Sequence, residues 1–158
     1  MANTYTQILI HVVFAVKYRE RLITPPHREE IQKDLTGIVE NHGHKMLAVF
    51  CMPDHAHMLV GLKPFEALSD LMREVKACSS AWVNERGWCR GKFQWQGGFG
   101  AFSCDLDRMH RVVKYILNQE EHHRERRFNE EYIAMLNESE VAFDTRYIFR
   151  WDDNSGSD

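Results

Sequence analysis

Lys45-Met46-Leu47-Ala48-Val49-Phe50-Cys51-Met52-Pro53-Asp54-His55-Ala56-His57-Met58-Leu59-Val60-Gly61-Leu62 is the stretch on which the fold turns. Two short apolar runs, Lys45 to Cys51 and His55 to Leu62, flank the turn chemistry of Met52-Pro53-Asp54, which predicts a hairpin of two strands. In the second strand the period of two puts Ala56, Met58, Val60 and Leu62 in one apolar row and His55 and His57 on the other face. The expectation is a packed apolar face with the histidines pointing away from it.

Working outward, Gln7 to Val16 also alternates, with Ile8, Ile10, Val12 and Phe14 on one face and Gln7, Leu9, His11 and Val13 on the other. Pro25-Pro26 introduces a helix over about His27 to Asn41, and Gly43 supplies its stop. A second helix is predicted from about Glu66 to Glu85, ended by Gly87. The aromatic, glycine-rich run from Lys92 to Cys104 reads as a bent strand or a hairpin. One long helix from about Leu106 to Arg127 follows, with Met109, Val112, Val113, Ile116 and Leu117 in a continuous apolar arc, and a shorter helix lies around Glu130 to Asn137. This order implies an α+β fold, an antiparallel sheet with helices packed on one face, in the manner of a ferredoxin-like or RNA-recognition-like sandwich. Residues 1–150 read as one domain and residues 151–158 as a disordered acidic tail.

A chain of 158 residues can bury one real core. No apolar run approaches the ~20 residues that span a bilayer, and Met1-Ala2-Asn3-Thr4 lacks the features of a secretory signal. A cytoplasmic protein with reduced thiols is expected, Cys51, Cys78, Cys89 and Cys104 being small and mostly buried. The net charge of −3 counts against a broad basic surface, so any nucleic-acid site is expected to be local. The candidates are Lys17, Arg19 and Arg21, then Arg108, Arg111 and Lys114, then Arg124, Arg126 and Arg127, although such runs also serve as solvated helix faces.

The strand period sets His55 and His57 about 6–7 Å apart at the backbone, close enough for two neutral imidazoles to clasp one metal ion; the same spacing also arises by chance. Tyr115 and Gln119 are four residues apart on one helix face, flanking the apolar arc beside Arg108, Arg111 and His122. They either border a cleft or simply cover the core margin. His122-His123 reads as part of a solvated charged face.

Taken together, Met52-Pro53-Asp54-His55-Ala56-His57 and Tyr115-Ile116-Leu117-Asn118-Gln119 resemble the HUH single-tyrosine transposases of small bacterial insertion sequences. The segments Ile10-His11-Val12-Val13-Phe14-Ala15-Val16-Lys17-Tyr18-Arg19 and Gly91-Lys92-Phe93-Gln94-Trp95-Gln96 resemble that family too, so that similarity runs from about Tyr5 to Phe149. The resemblance implies a metal-dependent enzyme that cleaves and rejoins single-stranded DNA at hairpin-flanked element ends through a 5′-phosphotyrosine. It implies Tyr115 as nucleophile and His55, His57 and Gln119 as ligands of magnesium or manganese. It further implies a homodimer in which the histidines of one chain meet the tyrosine of the other. Two imidazoles favour manganese or softer ions over magnesium, and Gln119 supplies an oxygen. Other readings are a domesticated relative, a replication or conjugation nuclease with the same parts, or a non-catalytic RNA-binding module; against the last, the third strand carries histidines where stacking aromatics belong.

Overall fold

The computed structural model describes residues 3–148. Its core elements are β1 (Leu9–Ala15), α1 (Pro25–Asn41), β2 (Lys45–Met52), β3 (His55–Gly61), α2 (Leu68–Arg86) and β4 (Gly100–Cys104). The four strands form an antiparallel sheet in the order β2-β3-β1-β4, the ferredoxin-like arrangement expected. Pro53 and Asp54 make the β2–β3 turn, and the Pro53 and Asp54 carbonyls accept from Ile23 and Val16 backbone N–H groups, tying the hairpin to the chain after β1. Pro25 and Pro26 occupy the first turn of α1, where no N–H is needed. Gly87 closes α2 in the left-handed region at φ 68°.

One face of the sheet carries Val12, Phe14, Ala56, Met58 and Val60 against Leu35 and Val39 of α1 and Leu71 and Val75 of α2. The opposite face is covered as well, by a C-terminal group of helices: α3 (Met109–Leu117), α4 (Gln119–Glu125) and α5 (Phe128–Glu138). Leu9 and Leu59 pack on Ile116 of α3, and Val13, Ala15 and Phe102 pack on Phe128 and Leu136 of α5. Helices therefore lie on both faces, and the histidine side is not open: His55 and His57 are 1% and 0% exposed. The cause is visible in β1, whose Leu9, Val13 and Ala15 give the second face an apolar row of its own.

The expected long helix over 106–127 is broken. Asn118, at φ −101° and ψ 27°, separates α3 from α4, and the extended Arg126 and Arg127 separate α4 from α5. Leu117, placed in the apolar arc, is 51% exposed: it is the last residue of α3, and the buried part of the arc ends at Ile116. From Lys92 to Phe99 the chain is irregular, joined to the sheet by a Val16–Trp95 bridge and by the Trp95 ring on Phe14. A short α6 (Thr145–Ile148) ends the described residues, and the expected acidic tail lies outside them. All four cysteines are free, but only Cys51 is buried; Cys78 is exposed and the other two are intermediate. No described helix is long and apolar enough to cross a membrane.

Candidate functional site

β3 delivers His55 and His57 to the second face, and each ring is held through Nδ1. His55 Nδ1 lies 2.7 Å from Asp54 Oδ1, and His57 Nδ1 lies 2.9 Å from His11 Nε2 of β1. The register explains the second contact: His57 stands opposite Val13, so His11 is its diagonal neighbour on the same face. With Nδ1 committed to a neighbour, each histidine turns Nε2 into the site, the tautomer control that metal-binding imidazoles use.

Glu131 of α5 faces both rings. Its Oε1 is 3.1 Å from His57 Nε2, 4.0 Å from His55 Nε2 and 3.5 Å from His123 Nε2. Its Oε2 accepts a hydrogen bond from the Tyr115 hydroxyl. His55 Nε2 is buried and has no hydrogen-bond partner among the described residues. One ligand atom each from His55, His57 and Glu131 lies within 4.8 Å of the others. An orphaned imidazole nitrogen beside a carboxylate and a second imidazole is a donor set that fits a divalent ion.

The electrostatics follow from burial and charge. Burial alone would raise Asp54, but hydrogen bonds from His55 and Arg19 and their charges outweigh it and hold the carboxyl at about 2. Burial pushes His55 down to about 4 against the pull of Asp54, and burial together with His57 pushes His11 to about 3. Burial also opposes the Glu131 carboxylate, yet hydrogen bonds from His123, His57 and Tyr115 keep it ionised well below the usual range. Tyr115 moves the other way, raised by burial and by the adjacent Glu131 charge.

Tyr115, His55, His57 and Gln119 all converge within one chain; the Tyr115 and His57 ring centroids are 6.1 Å apart. Gln119 is fully buried, but its amide is engaged by the helices, with Nε2 donating to the Tyr115 carbonyl at 3.2 Å and Oε1 lying 3.2 Å from His123 Nε2. His123 is thus part of the site and not a solvated residue, and His122 lies over the Tyr115 ring at 4.5 Å.

The basic candidates divide. Arg19 turns inward: its guanidinium bonds Asp54 at 2.9 Å and 3.2 Å and covers Phe128, while Tyr18 and Arg19 take left-handed φ of 58° and 52° to bring it there. Arg19 therefore braces Asp54, where a contact with DNA was expected. Lys17 is half-buried beside Tyr18. Arg108, at the N-cap of α3, and Arg111 and Lys114 on α3 are exposed and, with Arg126 and Tyr115, line a cavity of about 540 Å³.

Glu131, His11, Asp54 and His123 were missed in the sequence. His11 shares the alternating row of Leu9 and Val13, and Asp54 adjoins His55. Glu131 left one trace: with Phe128 and Leu136 it occupies the buried stripe of α5, and a carboxylate inside an apolar stripe needs a partner.

Residues 4–119 match the family described as transposase, IS200-like. The chain is 23% identical over 120 residues to the ISDra2 transposase TnpA of Deinococcus radiodurans, covering 72% of this chain and 84% of that protein. It is 29% identical over 105 residues to the transposase for insertion sequence element IS200 of Salmonella typhimurium, covering 59% and 69%. In fold it is similar to a crystal structure described as a transposase of Deinococcus radiodurans R1, with TM-score 0.58, 21% identity and coverage of 75% of this chain and 96% of that one. It is equally similar to a REP-associated tyrosine transposase bound to a REP hairpin, with TM-score 0.58, 16% identity and coverage of 78% and 73%. The match over most of its length, on a sheet that presents paired histidines to a tyrosine helix, makes this chain a member of the IS200-like transposase family.

Proposed function

We propose that this transposase, acting in the cytoplasm as one domain of residues 1–150, cleaves and rejoins single-stranded DNA at hairpin-flanked ends, with Tyr115 as nucleophile. The observation that carries the reading is one carboxylate, Glu131, that meets the Tyr115 hydroxyl with one oxygen and His57 with the other. Nucleophile and histidines are thereby held together inside a single chain, and in a homodimer each subunit would carry a complete site. The hairpin bound by the structurally similar REP-associated transposase supports a hairpin as the recognised element.

His55 and His57 would hold a divalent ion through Nε2, with oxygen from Glu131, from Gln119 or from both. Manganese suits such a mixed nitrogen and oxygen set, and magnesium is the oxygen-preferring alternative. When bound, the ion neutralises charge on the phosphoryl oxygens and polarises phosphorus.

The remaining steps belong to the protein. Half-buried beside a carboxylate, Tyr115 is protonated at neutral pH and must lose its proton to attack. Glu131 Oε2 already accepts that hydrogen bond and orients the phenolic oxygen; held ionised well below the usual range it is a weak base, and the proton passes on to water. A bond forms between the phenolic oxygen and the 5′ phosphate, the bond from phosphorus to the 3′ oxygen breaks, and that oxygen takes a proton from water and leaves as a hydroxyl. Reversal with another 3′ hydroxyl joins a different strand, because the phosphotyrosine ester conserves the cleaved bond. Arg108 at the N-cap of α3, Arg111 and Lys114 on it, and the half-buried Lys17 would bind the backbone.

Tyr115→Phe tests the reading. With end-labelled single strands carrying the palindromes that flank the gene, and manganese present, wild type is expected to give a protein–DNA adduct on a denaturing gel. Tyr115→Phe should give none while still binding the strand, and an undiminished adduct from the variant would remove Tyr115 as nucleophile.

A further inference from the structure

Four cations stand at the cavity beside Tyr115: Arg108, Arg111, Lys114 and Arg126. Some arginines elsewhere are paired, Arg19 with Asp54, Arg28 with Glu120 and Arg124 with Glu121. Among the described residues no ion pair engages these four. A single carboxylate, Glu138, lines the same cavity, although the chain as a whole carries a net charge of −3. Positive charge is therefore concentrated where the reacting hydroxyl is found.

Charge alone would be served by a flat basic surface, but this is a cleft with an apolar interior. Phe102 of β4 lies on its floor, Val112 is on the α3 wall, and Ala134 and Met135 form the opposing wall from α5. His11, Ser103 and Asn118 add polar groups at its edges. The volume of about 540 Å³ falls in the ~300–1,000 Å³ range of pockets that enclose small ligands, far too narrow for a base pair within its duplex. A cationic rim over an apolar, partly aromatic interior suits one ligand class, a nucleotide whose phosphate stays outside while its base enters. The α5 wall lies after residue 119, where the family match ends.

We infer that the cleft between α3 and the C-terminal half of α5 seats an unpaired nucleotide next to the scissile phosphate, its phosphate on the α3 cations and its base between Phe102, Val112 and Met135. The inference rests on the strand-cleaving reading above and adds to it a base-binding subsite that selects unpaired DNA. Because the Tyr115 ring forms part of the wall, a nucleotide seated there delivers its neighbouring phosphate to the phenolic oxygen.

The test is binding of the full-length protein, in chelator, to three fluorescent probes: a 20-residue oligothymidylate, an abasic strand of equal length and a duplex. Wild type is expected to bind oligothymidylate at least about tenfold more tightly than the abasic strand or the duplex, in line with one base stacked on the protein. Ala134→Trp, which fills the cleft, should erase that preference and leave the salt dependence unchanged. Arg111→Ala should keep the preference but lower the slope of log affinity against log salt by about 0.7, one phosphate contact on a single strand. Should Ala134→Trp fail to fold by circular dichroism, Ser139→Trp at the exposed C-cap of α5 fills the cleft from its rim. Equal wild-type binding of oligothymidylate and abasic strand overturns the subsite, as does a folded cleft-filling variant that retains the full preference. A chain that shows the preference but forms no Tyr115 adduct would instead fail the cleavage reading alone.

Discussion

Each site histidine gives one ring nitrogen to the protein and turns the other inward, so the cluster is organised by its neighbours before any ion arrives. Glu131 then competes with Gln119 for the role of oxygen donor. The carboxylate lies 3.1 Å from His57 Nε2, whereas the amide oxygen of Gln119 is occupied by His123. Glu131→Ala is accordingly expected to weaken manganese binding by at least about 10–100-fold, and Gln119→Ala by less, as read by calorimetric titration; the reverse order would return the ligand role to Gln119. Acid sensitivity follows from the same burial. His55 and His11 have folded pKa values near 4 and 3, below the ordinary 6.5, so their contribution to stability is complete above pH 6.5 and is lost as pH falls through those values. Asp54, held at about 2 from 3.8, acts in the same direction at lower pH. In chelator the melting temperature should decline steadily from pH 6.5 to pH 4, and a flat profile would mean that these histidines are already charged in the fold. The shared strand face of the two histidines and the shared helix face of Tyr115 and Gln119 were legible from the strand and helix periods, whereas the roles expected of them came from the resemblance alone. Glu131 was not, since 74 residues separate it from His57 and only the docking of α5 brings them together.

The element that completes the site is α5, and its seat depends on a glycine. A Cβ added at Gly100 of β4 would stand 2.6 Å from the Tyr132 ring of α5, so the absence of a side chain there lets the helix approach the sheet. Gly100→Ala should cost about 1–3 kcal/mol by overpacking, lower the urea midpoint and weaken manganese binding by displacing Glu131. Unchanged stability and affinity would show that Tyr132 moves aside freely and that α5 is not held by this contact. The sheet and its two N-terminal helices were readable from alternation, Pro25-Pro26 and Gly87. The covering of the second face was not drawn from the sequence although β1 is apolar on both sides, because alternation alone does not say what will pack on each row. The break at Asn118 was missed although the apolar arc stops at Leu117 and no apolar residue follows until Phe128, because the charged run from Gln119 to Arg127 is itself compatible with a helix.

At the scale of the molecule, an acidic chain concentrates cations on α3 and at Arg126, beside a tyrosine that already touches the histidine cluster of its own chain. Composition argued against a broad basic surface, and the resemblance to single-tyrosine transposases correctly placed the family. Neither reveals which chain supplies the tyrosine, because that depends on how far the C-terminal helices reach across the sheet. Here they reach His57 without a partner. The central claim is that one chain holds the whole reaction centre, and co-expression of differently tagged His57→Ala and Tyr115→Phe chains tests it most directly. Adduct formation on labelled single strands is measured for wild type, for each variant alone and for the purified mixed assembly. Adduct from wild type and none from the mixture above the single-variant blanks is the predicted result; adduct restored in the mixture would contradict the claim and assign the histidines and Tyr115 to different chains.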